Sequence, residues 1–217
     1  LTVDDAWRAK AGMKTAGMLS GPVTVRLDIP DLGATETAGS AEADFTAASI
    51  SGLLPGWSKP AGKALKADFK LVMAPKDEIL LESLTIEDPS ITLKGSVLVA
   101  GDGQIKSARF STLRIAKGDN VSAELERVGA VYRIAVKGEQ FDARPLMKSA
   151  FSPSTGSPAT GQDFDIDLKI ASLIGFNSEI LKSADIRGQL RGGLVRDLKL
   201  AGNLAKQAVA GQMAKGE

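Results

Sequence analysis

Apolar and polar residues alternate along most of this chain, the period-two pattern of strands with one covered and one solvated face. Val23-Thr24-Val25-Arg26-Leu27-Asp28-Ile29 is the first clear run, stopped by Pro30 and Gly33. Ala67 to Met73 follows, then Leu84-Thr85-Ile86 and Ile91 to Val99, separated by the turn former Asp88-Pro89. Asp102-Gly103 marks a hairpin turn. Beyond it come Ile105 to Ile115, a turn at Lys117-Gly118-Asp119-Asn120, and Val121 to Arg127 and Val131 to Lys137 joined at Gly129. Phe164 to Ile170, Ala184 to Leu190 and Leu194 to Leu200 carry the same pattern, the last two parted by Gly192-Gly193.

Helical signals are few. Asp142 to Ala150 has an N-cap candidate in Asp142 and a proline tolerated in the first turn, which predicts a short helix. Asp4 to Met18 has a helical pattern through Ala6, Trp7 and Ala9 that Gly12 and Gly17 weaken. Residues 151–162 are rich in Ser, Pro, Thr and Gly without periodicity and read as a flexible linker. The tail from Asn203 takes no assignment. The expected organisation is an N-terminal segment over 1–22 with a helical pattern, a first β-repeat unit over 23–150 with a short helix near 142–150, the linker 151–162, and a second, partial β-repeat unit over 163–217.

The repeat rests on three matches in the same order. Asp68-Phe69-Lys70-Leu71 parallels Asp165-Ile166-Asp167-Leu168, Leu93 to Val97 parallels Ile186 to Leu190, and Gly103 to Phe110 parallels Gly193 to Leu200. Repeats that bury a face by stacking on neighbours build elongated arrays. The competing explanation is that any two amphipathic hairpins look alike.

A one-sided sheet must have its apolar face covered, and helices are too scarce to do it. Either the sheet closes on itself with Val, Leu and Ile interdigitating, or it stays strongly curved and incompletely closed, with its apolar lining forming a groove. Periodicity alone favours the closed core. The expected fold class is mainly β: a strongly curved antiparallel sheet of repeated β-meanders, an open groove or half-barrel, with one or two short helices.

Composition narrows the chemistry. The 217 residues are 43% hydrophobic and only 5% aromatic, so the apolar surface is built from Val, Leu, Ile and Ala, which suit acyl chains as well as a core. Lys and Arg number 27 against 26 Asp and Glu, interspersed, with none of the basic stripe of a nucleic-acid binder. The chain has no Cys and no His. That removes the Cys nucleophile, the Ser-His dyad, disulfides and the usual zinc ligands. A Ser-Lys or carboxylate enzyme and an oxygen-ligated Ca²⁺ site survive the test. Leu1 in place of Met marks an excised or processed piece, and no window approaches the ~18 apolar residues of a membrane span. Any anchor would lie outside it.

Carboxylates gather at Asp4-Asp5, Asp77-Glu78, Glu87-Asp88 and Asp163, Asp165, Asp167. The last three share one strand face and could bind Ca²⁺ or flank a glycosidic bond. Alternation with Phe164, Ile166, Leu168 and Ile170 makes a solvated face the simpler reading. Ser58-Lys59 lacks the helix start of a Ser-x-x-Lys site, and Gly101-Asp102-Gly103 lacks the helix of a phosphate loop. No catalytic residue, metal ligand or cofactor is assigned. Trp57, in Leu53-Leu54-Pro55-Gly56-Trp57-Ser58-Lys59-Pro60-Ala61-Gly62, reads as a buried anchor for the loop entering the strand at Ala67.

Trp57 to Gly62 followed by a strand resembles the central domain of unknown function in AsmA-like proteins of the YhdP type. Gly101-Asp102-Gly103-Gln104-Ile105 through Phe110, Val131 to Gly138, and Phe141-Asp142-Ala143-Arg144-Pro145-Leu146 are similar to its alphaproteobacterial branch. The likeness covers most of residues 23–200 with short, degenerate motifs. It implies a very long periplasmic β-structure anchored in the inner membrane of a Gram-negative bacterium, bridging the envelope and carrying phospholipid along a hydrophobic groove. Phe69, Leu71, Met73, Ile91, Leu93, Val97, Val99, Ile166, Leu168 and Ile170 are then the candidate lipid-lining residues. The expected partners are phospholipid or another lipid, with membrane contact through parts outside this chain and no nucleic acid. The alternative is a structural or assembly β-module with a closed core that binds another envelope protein through an edge strand.

Overall fold

A computed structural model of the chain describes residues 1–13, 18–30, 38–54, 57–145, 147, 163–192, 194–204 and 207–214. The chain divides into two compact units, Leu1–Phe110 and Ser111–Glu217. That division falls inside a strand and not at the 151–162 linker, which lies outside the described residues.

Unit 1 contains β1 (Thr2–Val3), α1 (Asp5–Lys10), β2 (Leu19–Ser20), β3 (Val23–Asp28), β4 (Ala38–Asp44), β5 (Ser49–Leu54), β6 (Trp57–Lys59), β7 (Lys66–Ala74), β8 (Glu78–Asp88) and β9 (Ile91–Val99). β10 (Ile105–Arg114) holds the division. Unit 2 continues with β11 (Asn120–Val128), β12 (Val131–Asp142), β13 (Asp163–Ile174), β14 (Ile180–Arg191), β15 (Leu194–Leu204) and β16 (Gln207–Ala214). Among the described residues thirteen strands form one sheet in the order β1-β3-β4-β7-β8-β9-β10-β11-β12-β13-β14-β15-β16, and β2-β5-β6 form a separate small one. The large sheet is mostly antiparallel and does not close into a barrel.

One pair departs from the expected meander. β12 and β13 run parallel, in register from Val131↔Asp163 to Asp142↔Ile174. A parallel pair needs a crossover long enough to return along the strand, and residues 143–162 supply it. The helix expected near 142–150 is described in part. Arg144, Pro145 and Met147 are helical, and Met147 N–H donates to the Ala143 carbonyl at 2.8 Å.

The N-terminal helix is shorter than the pattern predicts. Asp4 caps it by accepting from Trp7 N–H at 2.8 Å, and Gly12 at φ 73° turns the chain out of helical geometry. The residue it buries is Arg8, not Trp7. Arg8 donates to the carbonyls of Val3 and Gly21, both at 2.8 Å, and pairs with Asp5, while Trp7 stays 42% exposed.

β7–β8 and β13–β14 share a local design. Lys76-Asp77 and Asn177-Ser178 are pairs of left-handed residues at the turns, each followed by a glutamate. Further on, Ser83 (φ 52°) and Ser183 (φ 50°) are left-handed within β8 and β14. The β8–β9 register shifts between Leu81 and Leu84, and the β14–β15 register between Lys182 and Asp185. These are β-bulges. The expected matches of Leu93–Val97 with Ile186–Leu190 and of Gly103–Phe110 with Gly193–Leu200 instead set β9 against β14 and β10 against β15. With β7 set against β13, they leave β8 without a counterpart, because β13 pairs directly with β14. Alternation and turn glycines recur in every hairpin and cannot count strands.

Candidate apolar binding face

Directly opposed residues in neighbouring strands project to the same side of a sheet, so register assigns each side chain to a face. In unit 2, Leu125, Ile134, Ile166, Gly188, Leu198 and Met213 form one row across β11 to β16. Ala123, Val136, Leu168, Ile186, Leu200 and Gly211 form the next. Val121, Gly138, Ile170 and Ala184 add a third over β11 to β14, and Tyr132 stacks on Phe164 at 6.0 Å between ring centroids beside the first. At ~4.8 Å per strand, this face spans roughly 24 Å.

In unit 1 the corresponding rows are Met73–Ile79–Val99, Leu71–Leu81–Val97 and Ala43–Ala67–Ile86–Leu93. The ten candidate residues therefore lie on the apolar face of their own unit, seven in unit 1 and Ile166, Leu168 and Ile170 in unit 2. Their exposure differs along the strands. Ile91, Leu93, Val97 and Ile170 are buried, Phe69, Leu71, Val99, Ile166 and Leu168 are half-buried, and Met73 is 43% exposed.

The gradient in unit 1 has a local cause. Trp57, in the small sheet, is 7% exposed and directs its indole N–H toward Ser90 Oγ at 3.4 Å, at the turn between β8 and β9. Ile91, Leu65, Ala67 and Ala43 are buried at the same end. Two residues from Trp57 and on the same side of β6, Lys59 is equally enclosed. Its ammonium donates to the carbonyls of Ala48 at 2.7 Å, Phe45 at 2.8 Å, Pro60 at 3.0 Å and Thr46 at 3.3 Å. Those bonds offset the cost of burying the charge. Burial pushes its pKa down, partly countered by Asp44. Trp57 is thus the loop anchor that the sequence suggests, and Lys59, singled out there only as part of a Ser-Lys pair, is a structural cation.

Unit 2 has its own polar fastening. Asp119, buried in the β10–β11 turn, accepts from the backbone N–H of Ile115 at 3.0 Å, Ala116 at 2.8 Å and Asp142 at 2.8 Å. Asp142 in turn takes Nε and Nη2 of Arg144, and that guanidinium holds its carboxyl below the ordinary range.

The charged face is a solvated network. Asp163 and Asp165 pair with Arg191, and Asp167 shares Arg187 with Asp185 at 4.0 and 3.6 Å. Among the described residues no group of carboxylates is placed to hold a metal ion. Glu78 pairs with Lys106, Glu87 with Lys94, and Asp88 bonds to Ser90, so the other acidic pairs serve turns and strands. An open depression of about 550 Å³ crosses β14 to β16 at Arg187, Lys199 and Gln212. Its Arg187 is already held by the two aspartates.

Several glycines on the apolar face stand where a neighbouring strand comes close. A Cβ at Gly95 would lie 2.0 Å from Arg109 O, one at Gly138 2.2 Å from Asn120 O, and one at Gly39 2.6 Å from Asp28 O. Gly188 differs, since its Cβ would meet only Leu198 Cδ1 at 3.4 Å and Asp197 O at 3.7 Å. No helix of the described residues is long and apolar enough to cross a membrane. Comparison with family models, with curated proteins and with solved structures finds no match.

Proposed function

We propose that this chain is a non-catalytic segment of an envelope-spanning, lipid-handling protein of the AsmA-like, YhdP-type kind, whose apolar sheet face receives phospholipid acyl chains between inner and outer membrane. One observation carries the reading. Ala123 and the neighbouring Val121, Ile170 and Ala184 are buried, yet two aliphatic rows of unit 2 run across six strands with Leu125, Ile134, Ile166 and Leu198 in one and Val136, Leu168, Ile186 and Leu200 in the other only half-buried, and Met213 55% exposed at the end. A sealed sandwich core would leave such positions nearly inaccessible.

Curvature toward that face draws support from the glycines. At Gly95 and Gly138 the missing Cβ points to the apolar side, and the neighbouring backbone stands where it would be. A strand that rises over one face makes that face concave, and inward glycines and bulges are how sheets bend. The near absence of aromatic rings suits a flexible occupant. Withdrawing about six methylenes from water at ~0.8 kcal/mol each gives ~5 kcal/mol, which is weak, area-driven and without headgroup selectivity. In this reading the protein works in the periplasm, held to the inner membrane by parts outside this chain.

The test is extraction of the purified chain with organic solvent and mass spectrometry of the extract, paired with photocrosslinking from Leu168 and, as a control on the charged face, Lys169. Phospholipid in the extract and crosslinks from Leu168 alone are expected. A lipid-free extract with equal labelling at both positions would leave the assembly-module alternative standing instead. Gly188→Phe, at a position where an added Cβ meets no backbone atom closer than 3.7 Å, should lower lipid recovery, with circular dichroism checking that the fold persists.

A further inference from the structure

β11 sets one charge on the apolar face of unit 2. Arg127 stands opposite Tyr132, Tyr132 opposite Phe164 and Phe164 opposite Leu190. Two residues separate this row from the Leu125–Ile134–Ile166–Gly188 row, so both lie on the same side, while Glu126, Arg133, Asp165 and Gln189 between them face the other way. Across β11 to β14 every other position of the four rows on the apolar side is aliphatic, aromatic or glycine. The same row holds the stacked Tyr132 and Phe164 rings. Arg127 and Phe164 are half-buried, as are the aliphatic residues of the next row, whereas Val121, Ile170 and Ala184 at the far end are buried. A cation, then two rings, then aliphatic rows ending in a covered one is the order in which a bilayer presents its headgroup level and its chains.

We propose that Arg127 binds the phosphate of the phospholipid on this face, which lies along the strands with its phosphate at the Arg127–Tyr132 row and its chain ends at the Val121–Ile170 row. That orientation presupposes that the face holds lipid, as proposed above. Charge complementarity selects the occupant's polar end, because Arg127 offers the phosphate a cation where the rest of the face offers only apolar surface. A guanidinium carries five N–H donors in a planar fork, enough to serve an internal partner and a phosphate together. Length agrees as well. Arg127 and Val121 are six residues apart on β11, roughly 20 Å at ~3.3 Å per residue. The chains of one leaflet span about 15 Å, half the hydrocarbon core of a bilayer. Phosphate is common to all phospholipids, so the contact fixes which way round the lipid lies and chooses none among the headgroups.

Dioctanoyl phosphatidic acid and dioctanoylglycerol have the same chains and differ by the phosphate, so titration calorimetry with both, below their micellar concentrations, separates the two ends of the lipid. The native chain should bind the phosphatidic acid more tightly. Arg127→Gln should weaken it roughly 10-fold, the loss of a charge-assisted hydrogen bond, and leave dioctanoylglycerol unchanged, which also reports an intact face. Arg127→Lys should recover part of the loss. Arg133→Gln, on the charged side of the adjacent strand, should alter neither affinity. A phosphatidic acid with a photoreactive diazirine at its chain end should label the chain around Val121 and Ile170, away from Tyr132 and Phe164. Unchanged phosphatidic acid binding in Arg127→Gln, labelling centred on Tyr132 and Phe164, or inorganic phosphate competing as well as the lipid would each overturn the role of Arg127 while the lipid reading stands. A native chain that binds neither lipid overturns both.

Discussion

Gly95 offers the sharpest test of the proposed curvature. Alanine there would put Cβ 2.0 Å from Arg109 O and 2.8 Å from Phe110 Cα, and backbone cannot swing aside as a side chain can. β10 would have to withdraw by more than an ångström, enough to break the ladder hydrogen bonds that flank the site. Two lost bonds with their groups left unpaired cost about 1–3 kcal/mol each, so Gly95→Ala should destabilise by ~2–6 kcal/mol. For a domain of this size that is a fall of roughly 10 °C in Tm. The matched control is Gly188→Ala, on the same face, where Cβ meets a movable leucine methyl at 3.4 Å. Alanine in a strand interior should there be neutral or stabilise by about 0.5–1 kcal/mol through the restricted unfolded chain. Thermal unfolding followed by circular dichroism measures both. If the two variants melted within a degree of each other, strand approach at Gly95 would not be what requires glycine, and the curvature argued from it would fail.

Two further outcomes test the polar fastenings and the closed end of unit 1. Asp142 has a folded pKa held below its ordinary 3.8 by Arg144, so its contribution is full above that value and lost as pH falls through the folded one. The urea midpoint of the native chain should therefore drop in acid below about pH 4, and Asp142→Asn should flatten that drop without abolishing it, since Asp88, Asp44 and Asp5 are lowered too. The chain has two tryptophans, one exposed and one buried. In Trp7→Phe the remaining Trp57 should emit to the blue and resist acrylamide, and Trp57→Phe should show the reverse. Comparable quenching in both would place Trp57 outside the core.

The strands of the large sheet were legible wherever large apolar residues alternate with charge. Val23–Ile29 became β3, Ile105–Ile115 became β10 and Val131–Lys137 lies within β12. β4 and β16 were not, because AGSAEAD has only alanine and glycine at its inward positions, and QAVAGQMA has small residues without charge on the opposite side, so neither alternates large apolar residues with charge. Ala41 and Ala43 are nonetheless buried. The parallel β12–β13 pair was out of reach, since alternation states which residues share a face and not which strand lies alongside. The polar fastenings left fainter traces. Trp57 and Lys59 sit two apart on a short strand, which places them on one side, but nothing in the sequence says that four carbonyls wait there for the ammonium. Asp119 read only as a turn former.

β8 shows why a single alternation frame fails. Only Leu84-Thr85-Ile86 reads as a strand in the sequence, yet the strand runs from Glu78 to Asp88. Its apolar residues occupy two frames, Ile79 and Leu81 before the bulge, Leu84 and Ile86 after it. All four nevertheless share a face, because Leu81 stands opposite Val97 and Leu84 opposite Gly95, two residues apart on β9. The left-handed Ser83 absorbs the extra residue. Such a conformation costs a non-glycine residue about 1–2 kcal/mol. Without it, Leu84 and Ile86 would turn to the charged face, forfeiting roughly 1.5–3 kcal/mol apiece. The bulge is the cheaper solution by a clear margin, and Ser183 in β14 answers the same kind of mismatch where the register with β15 slips. A strand in two frames, joined by a left-handed serine after a glutamate-led turn, is therefore what β7–β8 and β13–β14 have in common, and alternation alone does not reveal it.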